Sequence, residues 1–235
     1  MTDTITVSSR FNGPQGSGNG GYASGLVATL LDGSAAVSLR SPVPLDTALA
    51  VRRGDEGVQV LNGETLVAEG QPGESVDPAV PAIVTIAEAE RASERYRSPA
   101  EGLFSQCFVC GPSREDSFHV FSGEIDDSMV AATWTPAEWT ADGNGTVRPE
   151  FVWAVLDCPT YWATHIGQEM SMSFLVRQCV TVHAPVLLGR ETVAIAWPIE
   201  AEGRKRSAGA ALLSEHGDVL ATGRALMVEA RAEPS

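Results

Sequence analysis

The pattern of apolar and polar positions divides the chain into two halves that contain the same kinds of elements. Each half has one apolar stretch of helical length, followed by short runs in which apolar and polar residues alternate as they do in strands. The first helix is predicted at about residues 20–31, where Asp32-Gly33 ends it. The second begins at Arg148-Pro149-Glu150, because proline and glutamate suit the first turn of a helix. We expect Pro159 to break or kink this second helix.

Strand-like runs surround both helices. A strand at residues 4–8 precedes the first helix, and a hairpin of residues 119–123 and 129–134 precedes the second. The other predicted strands are residues 36–40, 48–52, 58–61, 65–69, 175–184, 191–198, 206–214 and 219–229. Asn62-Gly63 is a strong hairpin signal, so these runs are expected to form antiparallel meanders. Between the halves we predict a loop at residues 72–81 and a linking helix at residues 86–97, which Ser98-Pro99 ends.

Two short sequence matches indicate that the halves are copies of one unit. Residues 40–45 (RSPVPL) parallel residues 183–188 (HAPVLL), and residues 62–70 (NGETLVAEG) parallel residues 216–223 (HGDVLATG) with one residue of slippage. Both matches occur in the same order and at the same place in each half. The repeat distance is far too long for a solenoid. We therefore predict an N-terminal domain at residues 1–85, a linker helix within 86–103 and a C-terminal domain at 104–230.

Charge and composition exclude several classes of partner. The formal net charge of −14 argues against DNA, RNA or an anionic membrane, because binding phosphates needs clustered Lys and Arg. No apolar window of about 18 residues is present, so no transmembrane helix is expected. Residues 1–19 are polar and predict no secretory signal. Four cysteines do not make a disulfide framework in a chain of 235 residues, so we expect a cytoplasmic protein with free thiols.

A glycine-rich loop, GSGNGG at residues 16–21, leads into the first helix. Such a loop exposes backbone N–H groups, and the start of a helix adds unpaired donors and a partial positive charge. These groups suit an oxyanion or a phosphate, although a merely flexible turn is the alternative. No Gly-Lys-Ser/Thr follows, so the loop is not a P-loop. The absence of a parallel βαβ pattern argues against a dinucleotide site.

A strand, a long helix and four antiparallel strands, present twice, resemble the tandem (double) hotdog proteins of the acyl-CoA thioesterase superfamily. Residues 19–26 (NGGYASGL) are similar to that family's glycine pair at the start of the central helix, and residues 148–157 (RPEFVWAVLD) to the matching segment of a second copy. The resemblance implies an α+β fold with two antiparallel sheets, each wrapped on a central helix. It implies hydrolysis of an acyl-CoA or related acyl thioester in lipid metabolism, without a cofactor, by a homodimer or higher homo-oligomer.

The resemblance also implies where the chemistry lies. Backbone N–H groups at the helix start, here Gly20 and Gly21, stabilise the charge that develops on the carbonyl oxygen. A carboxylate on the helix of the partnering copy, here Asp157, activates water or attacks directly. Laying the glycine pair on Pro149-Glu150 puts Asp157 opposite Ala28, so each half supplies one part of a single site. The residues expected to contact the substrate are Asn19, Tyr22, Trp153 and Glu150.

Other interpretations stay open at this point. Asp157 is flanked by apolar residues, and a buried acid needs a partner or a purpose, but hydrogen bonds to nearby backbone or to Thr160 would also satisfy it. A non-catalytic acyl-CoA or lipid-binding module is the alternative function, and a structural interaction protein is a third. The aromatic residues near the second helix are core residues or the lining of an acyl pocket; they are Trp134, Trp139, Trp153, Tyr161 and Trp162.

One CxxC motif, Cys107 to Cys110, has three interpretations: packing, zinc binding or redox chemistry. A structural zinc site needs four ligands, and a single CxxC supplies two. A redox role favours a thioredoxin-like βαβ setting, which the pattern lacks. The remaining candidate ligands show no paired spacing; they are His119, Cys158, His165, Cys179 and His183. The sequence therefore predicts no metal site.

Overall fold

The computed structural model describes residues 3–73, 78–98 and 100–231. Residues 74–77 of the predicted loop and Pro99, predicted to end the linking helix, lie outside the described residues. The helices are α1 (Gly20–Ala28), α2 (Ile86–Ser93) and α3 (Pro149–Ala163). The strands are β1 (Thr4–Ile5), β2 (Ala35–Leu39), β3 (Leu49–Gly54), β4 (Gly57–Asn62), β5 (Thr65–Pro72), β6 (Gly123–Glu124), β7 (Val130–Trp134), β8 (Ser173–Val182), β9 (Thr192–Glu202), β10 (Lys205–Ser214) and β11 (Val219–Glu229).

The strands form one antiparallel sheet, in the order β1-β3-β4-β5-β2-β8-β11-β10-β9-β7-β6. The prediction of two separate sheets is therefore wrong. The join lies between β2 and β8, where Ala35 pairs with Val180 and Ser38 with Arg177. Two separate sheets would each leave an edge strand with unpaired N–H and C=O groups, and the β2–β8 pairing satisfies them.

The sheet has the same strand order on both sides of this join. After α1 the strands lie in the order β3-β4-β5-β2, and after α3 in the order β9-β10-β11-β8. The strand before each helix also takes an equivalent place, since β1 pairs with β3 and β7 pairs with β9. The predicted hairpin at Asn62-Gly63 is confirmed by the pairing of Asn62 with Thr65.

Helix α1 begins where the sequence predicts and ends three residues earlier. Asn19 is its N-cap, and the Asn19 side chain accepts a hydrogen bond from Tyr22 N–H at 2.8 Å. After Ala28, Thr29 N–H still donates to the Gly25 carbonyl, but the Thr29 hydroxyl donates to the Leu26 carbonyl at 2.7 Å. The chain then leaves the helical path before the predicted end.

Helix α3 begins at Pro149, as predicted, but runs through Pro159 to Ala163. Proline at position 159 cannot donate to the carbonyl four residues earlier. Every residue of α3 from Glu150 to Ala163 is nevertheless buried. Of the two expected effects of Pro159, a break or a kink, the break does not occur, because packing on all sides of a buried helix outweighs one missing hydrogen bond.

Helices α1 and α3 lie side by side and antiparallel, with glycines of α1 against α3. A Cβ atom on Gly21 would lie 2.5 Å from the Asp157 Cβ and 2.7 Å from the Trp153 carbonyl oxygen. A Cβ on Gly25 would lie 2.5 Å from the Glu150 Cα. These two glycines therefore permit the close approach, which explains why the apolar helix tolerates them.

The linking helix α2 starts at the predicted residue. Thr85 and Glu88 form a capping box at its start, and its buried face, Ala89 and Ala92, packs against the outer strands of the C-terminal half. The helix ends at Ser93 rather than at residue 97. Among the described residues, none of the helices has the length and apolar character needed to cross a membrane.

Candidate functional site

A cavity of about 490 Å³ lies beside the start of α1, and its volume is typical of small-molecule sites. The glycine-rich loop forms one wall, residues 39–43 after β2 a second, and the start of β8 a third. Helix α3 closes the inner side. The residues of α3 that reach the cavity are Asp157, Cys158, Tyr161 and Trp162. Two of the aromatic residues predicted as core or pocket lining, Tyr161 and Trp162, therefore line the cavity.

The two predicted halves of the site meet at the inner end of this cavity. Gly21 N–H of α1 donates a hydrogen bond to the Asp157 Oδ2 atom of α3 at 2.8 Å. The Asp157 side chain is buried, while Thr160, the expected alternative partner, donates its hydroxyl to the Asp157 carbonyl rather than to the carboxylate. The resemblance implied that the start of α1 and the acid of α3 belong to one site. The two are in contact, and their catalytic roles stay predictions.

Burial controls the protonation of Asp157. It raises the pKa of this carboxyl from 3.8 to about 7, although the hydrogen bond from Gly21 N–H lowers it and the nearby Cys107 raises it further. Both the protonated and the ionised form therefore exist near neutral pH. An acid with this property at the wall of a cavity is the kind of group that proton-transfer chemistry uses.

Gly20, the other predicted donor, occupies the first position of α1 and lines the cavity. Its N–H has no acceptor among the described residues, as is usual for the first turn of a helix. A Cβ on Gly20 would lie 3.0 Å from the Leu175 Cδ2, so the glycine also allows β8 to approach. Gly20 thus offers a free donor to the cavity, whereas the N–H of Gly21 already holds a carboxylate.

Asn19 also lines the cavity, but its side chain has two structural contacts. Its Oδ1 caps α1 through Tyr22 N–H. Its Nδ2 group lies 3.8 Å from the Cys107 Sγ and 3.9 Å from the Cys158 Sγ. Both polar atoms of the Asn19 side chain are therefore engaged, one by the start of α1 and the other by two thiols of the cavity wall.

Three residues predicted to contact the substrate are not among those that line the cavity. The Tyr22 ring stacks on Phe11 with ring centroids 4.3 Å apart. The carboxylate of Glu150 pairs with Arg148 at 3.3 Å, and the Trp153 carbonyl accepts from Gln178 Nε2. Because α1 and α3 are antiparallel, the start of α3 lies at the far end of α1 from the cavity. Their assignment as substrate contacts gains no support from this placement.

A group of three buried thiols in the cavity wall was not anticipated by the sequence. The Sγ atoms of Cys107, Cys110 and Cys158 all lie within 4.8 Å of one another, and those of Cys107 and Cys158 are 3.9 Å apart. The CxxC motif marked the first two residues. Cys158 is 51 positions from Cys107, so no spacing rule could link them, although its place next to a buried acid in α3 was a signal. None of the four cysteines forms a disulfide bond.

The pKa values of the three thiols are shifted in different directions. Hydrogen bonds from the Cys110 and Cys158 thiols hold the pKa of Cys107 well below its usual range. The same contacts with Cys107 raise the pKa values of Cys110 and Cys158. Negative charge is therefore most stable on the Cys107 sulfur, at the centre of the group.

No known protein family and no curated protein matches the chain in sequence. Several solved structures match its fold. A hotdog-fold protein of unknown function from Alicyclobacillus acidocaldarius is 12% identical, with a TM-score of 0.65 over 98% of this chain and 93% of that one. A putative thioesterase from Novosphingobium aromaticivorans is 11% identical, with a TM-score of 0.63 over 97% and 95%.

A TesB protein from Mycobacterium avium subspecies paratuberculosis is 13% identical, with a TM-score of 0.59 over 90% of this chain and 87% of that one. At such low sequence identity, these structural similarities establish the fold and not the activity. They extend over nearly the whole of each chain, as does the predicted resemblance. The chain therefore has a hotdog fold.

Proposed function

We propose that this protein hydrolyses an acyl-CoA or a related acyl thioester. One observation carries the proposal: a buried carboxylate on α3 and the start of α1 meet at the wall of a largely apolar cavity. Thioester hydrolysis needs a carboxylate, preorganised donors for the carbonyl oxygen and a dry place for the acyl chain. Two of the solved structures with this fold are named a TesB protein and a putative thioesterase, which supports the same reaction class.

The free donor and the held carboxylate have different parts in the proposed reaction. The thioester carbonyl oxygen accepts a hydrogen bond from Gly20 N–H, which stabilises the negative charge that develops there. Gly21 N–H fixes the Asp157 carboxylate beside the carbonyl carbon. In one route Asp157 removes a proton from the attacking water and returns it to the sulfur as the C–S bond breaks, which releases the acid and the thiol. In the other route Asp157 attacks the carbon itself, the sulfur leaves as a thiolate that takes a proton from solvent, and water then hydrolyses the acyl–Asp157 anhydride. The acyl chain lies among the apolar cavity residues.

The test is turnover of a panel of acyl-CoA substrates by the wild type and by Asp157→Asn. The variant keeps the shape of the side chain but cannot act as a base or nucleophile, so we expect turnover to fall about 1000-fold. Glu150→Gln is the matched control, because Glu150 is also a buried acid of α3 but lies outside the cavity. We expect this control to retain its activity.

Three results would contradict the proposal. Equal turnover by the wild type and Asp157→Asn would remove Asp157 from the mechanism. If acyl-CoA raises the melting temperature of the wild type and no chain length is turned over, the protein is a binding module. If neither effect occurs, a role in protein interactions replaces both.

We also infer that the chain arose by duplication, with domains at residues 1–85 and 104–230. The matching strand order on the two sides of the β2–β8 join supports this. On this basis one site forms per chain, from the start of α1 and the far end of α3. A cytoplasmic location and a homodimer or higher homo-oligomer stay predictions, and sedimentation of the purified protein tests the latter.

A further inference from the structure

The three cavity thiols come from two separate parts of the chain. Cys107 and Cys110 belong to the segment before β6, and Cys158 belongs to α3. A disulfide requires sulfur atoms about 2 Å apart. Tetrahedral zinc–thiolate bonds of about 2.3 Å place the sulfurs about 3.8 Å from each other. The 3.9 Å between the Cys107 and Cys158 Sγ atoms matches the edge of a metal tetrahedron.

Two polar groups donate hydrogen bonds to the Cys107 and Cys158 sulfurs, although the cavity wall is largely apolar. Val109 N–H donates to the Cys107 Sγ at 3.4 Å. The Asn19 amide, buried at 3% exposure, points its Nδ2 at the Cys107 and Cys158 Sγ atoms. Donors directed at sulfur stabilise the thiolate form, which is the form that binds metal. Neutral thiols that only fill space would not need them.

The backbone of the CxxC segment is folded so that both of its sulfurs face α3. Gly111 N–H donates to the Cys107 carbonyl at 2.8 Å, which closes a tight turn. A Cβ on Gly111 would lie 2.5 Å from that carbonyl oxygen, so this turn requires glycine. Tyr96 donates its hydroxyl to the Cys110 carbonyl at 2.6 Å and holds the other end of the motif. Such supporting hydrogen bonds are typical of metal ligands.

We propose that Cys107, Cys110 and Cys158 bind one thiophilic metal ion of the zinc class. Three thiolates select soft or borderline ions over magnesium and calcium. In the described residues no further Cys, His, Asp or Glu joins this group, so the fourth position is left to water or a small ligand. All three cysteines line the cavity, which gives the ion its route of entry. The ion would tie the CxxC segment to α3, and this proposal holds whether or not the protein is a thioesterase.

The experiment measures zinc binding by the full chain under a non-chelating reductant, after metal removal with a chelator. We expect one zinc ion per chain. Cobalt(II) alone is the second probe, because thiolate ligands give it intense sulfur-to-metal charge-transfer absorption and tetrahedral d–d bands. Cys107→Ser and Cys158→Ser should each weaken zinc binding at least about 100-fold, since each removes a ligand.

The control is Cys179→Ser. Cys179 is also buried and forms no disulfide, but it lies in β8 outside the thiol group, so this variant should bind zinc as the wild type does. Zinc binding that is absent from the wild type, or equal in Cys158→Ser, would overturn the proposal. If the serine variants lose their native circular dichroism, the cobalt spectrum of the wild type decides. Thiolate charge-transfer bands then support the site, and their absence overturns it.

Discussion

The starts of the two central helices occupy equivalent places in the strand order but differ in their chemistry. At the start of α1, Asn19 caps the helix. Gly20 lines the cavity, and its N–H has no acceptor in the part of the chain that the structure describes. At the start of α3, Arg148 is the N-cap without a side-chain capping bond, and Pro149 stands in the first helical position. Proline has no N–H, so the second helix lacks the donor that the first one offers.

The surroundings of the two starts differ in the same sense. Aromatic rings pack on the beginning of α3: the Phe151 ring lies 5.3 Å from that of Trp139 and 5.9 Å from that of Phe118, centroid to centroid. The Arg148 guanidinium lies 4.7 Å above the Phe151 ring and pairs with Glu150. The other buried acid of α3, Asp157, instead accepts a hydrogen bond from Gly21 at the start of α1. One helix start therefore lies at a cavity, whereas the other is packed with aromatic side chains.

The most direct test of this difference replaces Gly20, the first residue of α1, by proline, the first residue of α3. Gly20→Pro removes the free N–H, and Asn19 already has the extended conformation that precedes proline (φ −62°, ψ 133°). Gly20→Ala adds the first side-chain carbon but keeps the N–H, so it controls for the contact with Leu175. We expect the kcat of Gly20→Pro to be about 100-fold below that of Gly20→Ala, the effect of one lost oxyanion donor. Equal values would exclude Gly20 as that donor.

Substituting Gly21 tests the close approach on which the site depends. In Gly21→Ala the new Cβ would meet the Asp157 Cβ and the Trp153 carbonyl of α3, and neither can move without moving the helix. We expect a loss of about 2 kcal/mol in the free energy of unfolding, measured by urea denaturation.

Gly20→Ala is again the comparison, because its Cβ would meet the flexible Leu175 and Leu39 side chains rather than a helix backbone. It should lose clearly less stability than Gly21→Ala. Equal losses would mean that the separation of α1 and α3 is not set by Gly21.

The order of elements was predictable because it depends on local patterns. Alternation located the long strands, Asn62-Gly63 located a hairpin, and Pro149-Glu150 located the start of α3. Two features that depend on tertiary contacts were not. Nothing in β2 or β8 encodes that their edges pair to make one sheet. Burial on all sides, which carries α3 through Pro159, is also invisible in the local sequence.

The site divides in the same way. Aligning the two halves placed Asp157 opposite Ala28, and the family resemblance implied that this acid shares a site with the start of α1. The contact between Gly21 and Asp157 agrees with that implication. The sequence did not predict the orientation of side chains. Tyr22 was expected to contact the substrate, but its ring stacks on Phe11 instead. The approach of Cys158 to the CxxC motif depends on how the segment before β6 packs against α3. No residue spacing in the sequence predicts that contact.

The smallest expected effect concerns His165, just beyond the end of α3 that serves the cavity. Its ring is buried: Nδ1–H donates to the Tyr161 carbonyl at 2.7 Å, and Nε2 accepts from the Ser171 hydroxyl at 3.0 Å. Burial lowers the pKa of His165 below its usual 6.5, and the hydrogen bond to Tyr161 opposes this only in part.

Because the folded pKa of His165 is the lower one, the unfolded chain takes up the proton first as the pH falls. The neutral imidazole thus contributes stability above about pH 6.5, and this contribution is lost as the pH falls through the folded pKa. His165→Gln can retain both hydrogen bonds without titrating, so its free energy of unfolding should fall less than that of the wild type between pH 7.5 and pH 5. His216→Gln, at an exposed position, should follow the wild type. If the free energy of unfolding of His165→Gln changes with pH as that of the wild type does, the neutral imidazole makes no pH-dependent contribution. The role of His165 at the end of α3 is then packing alone.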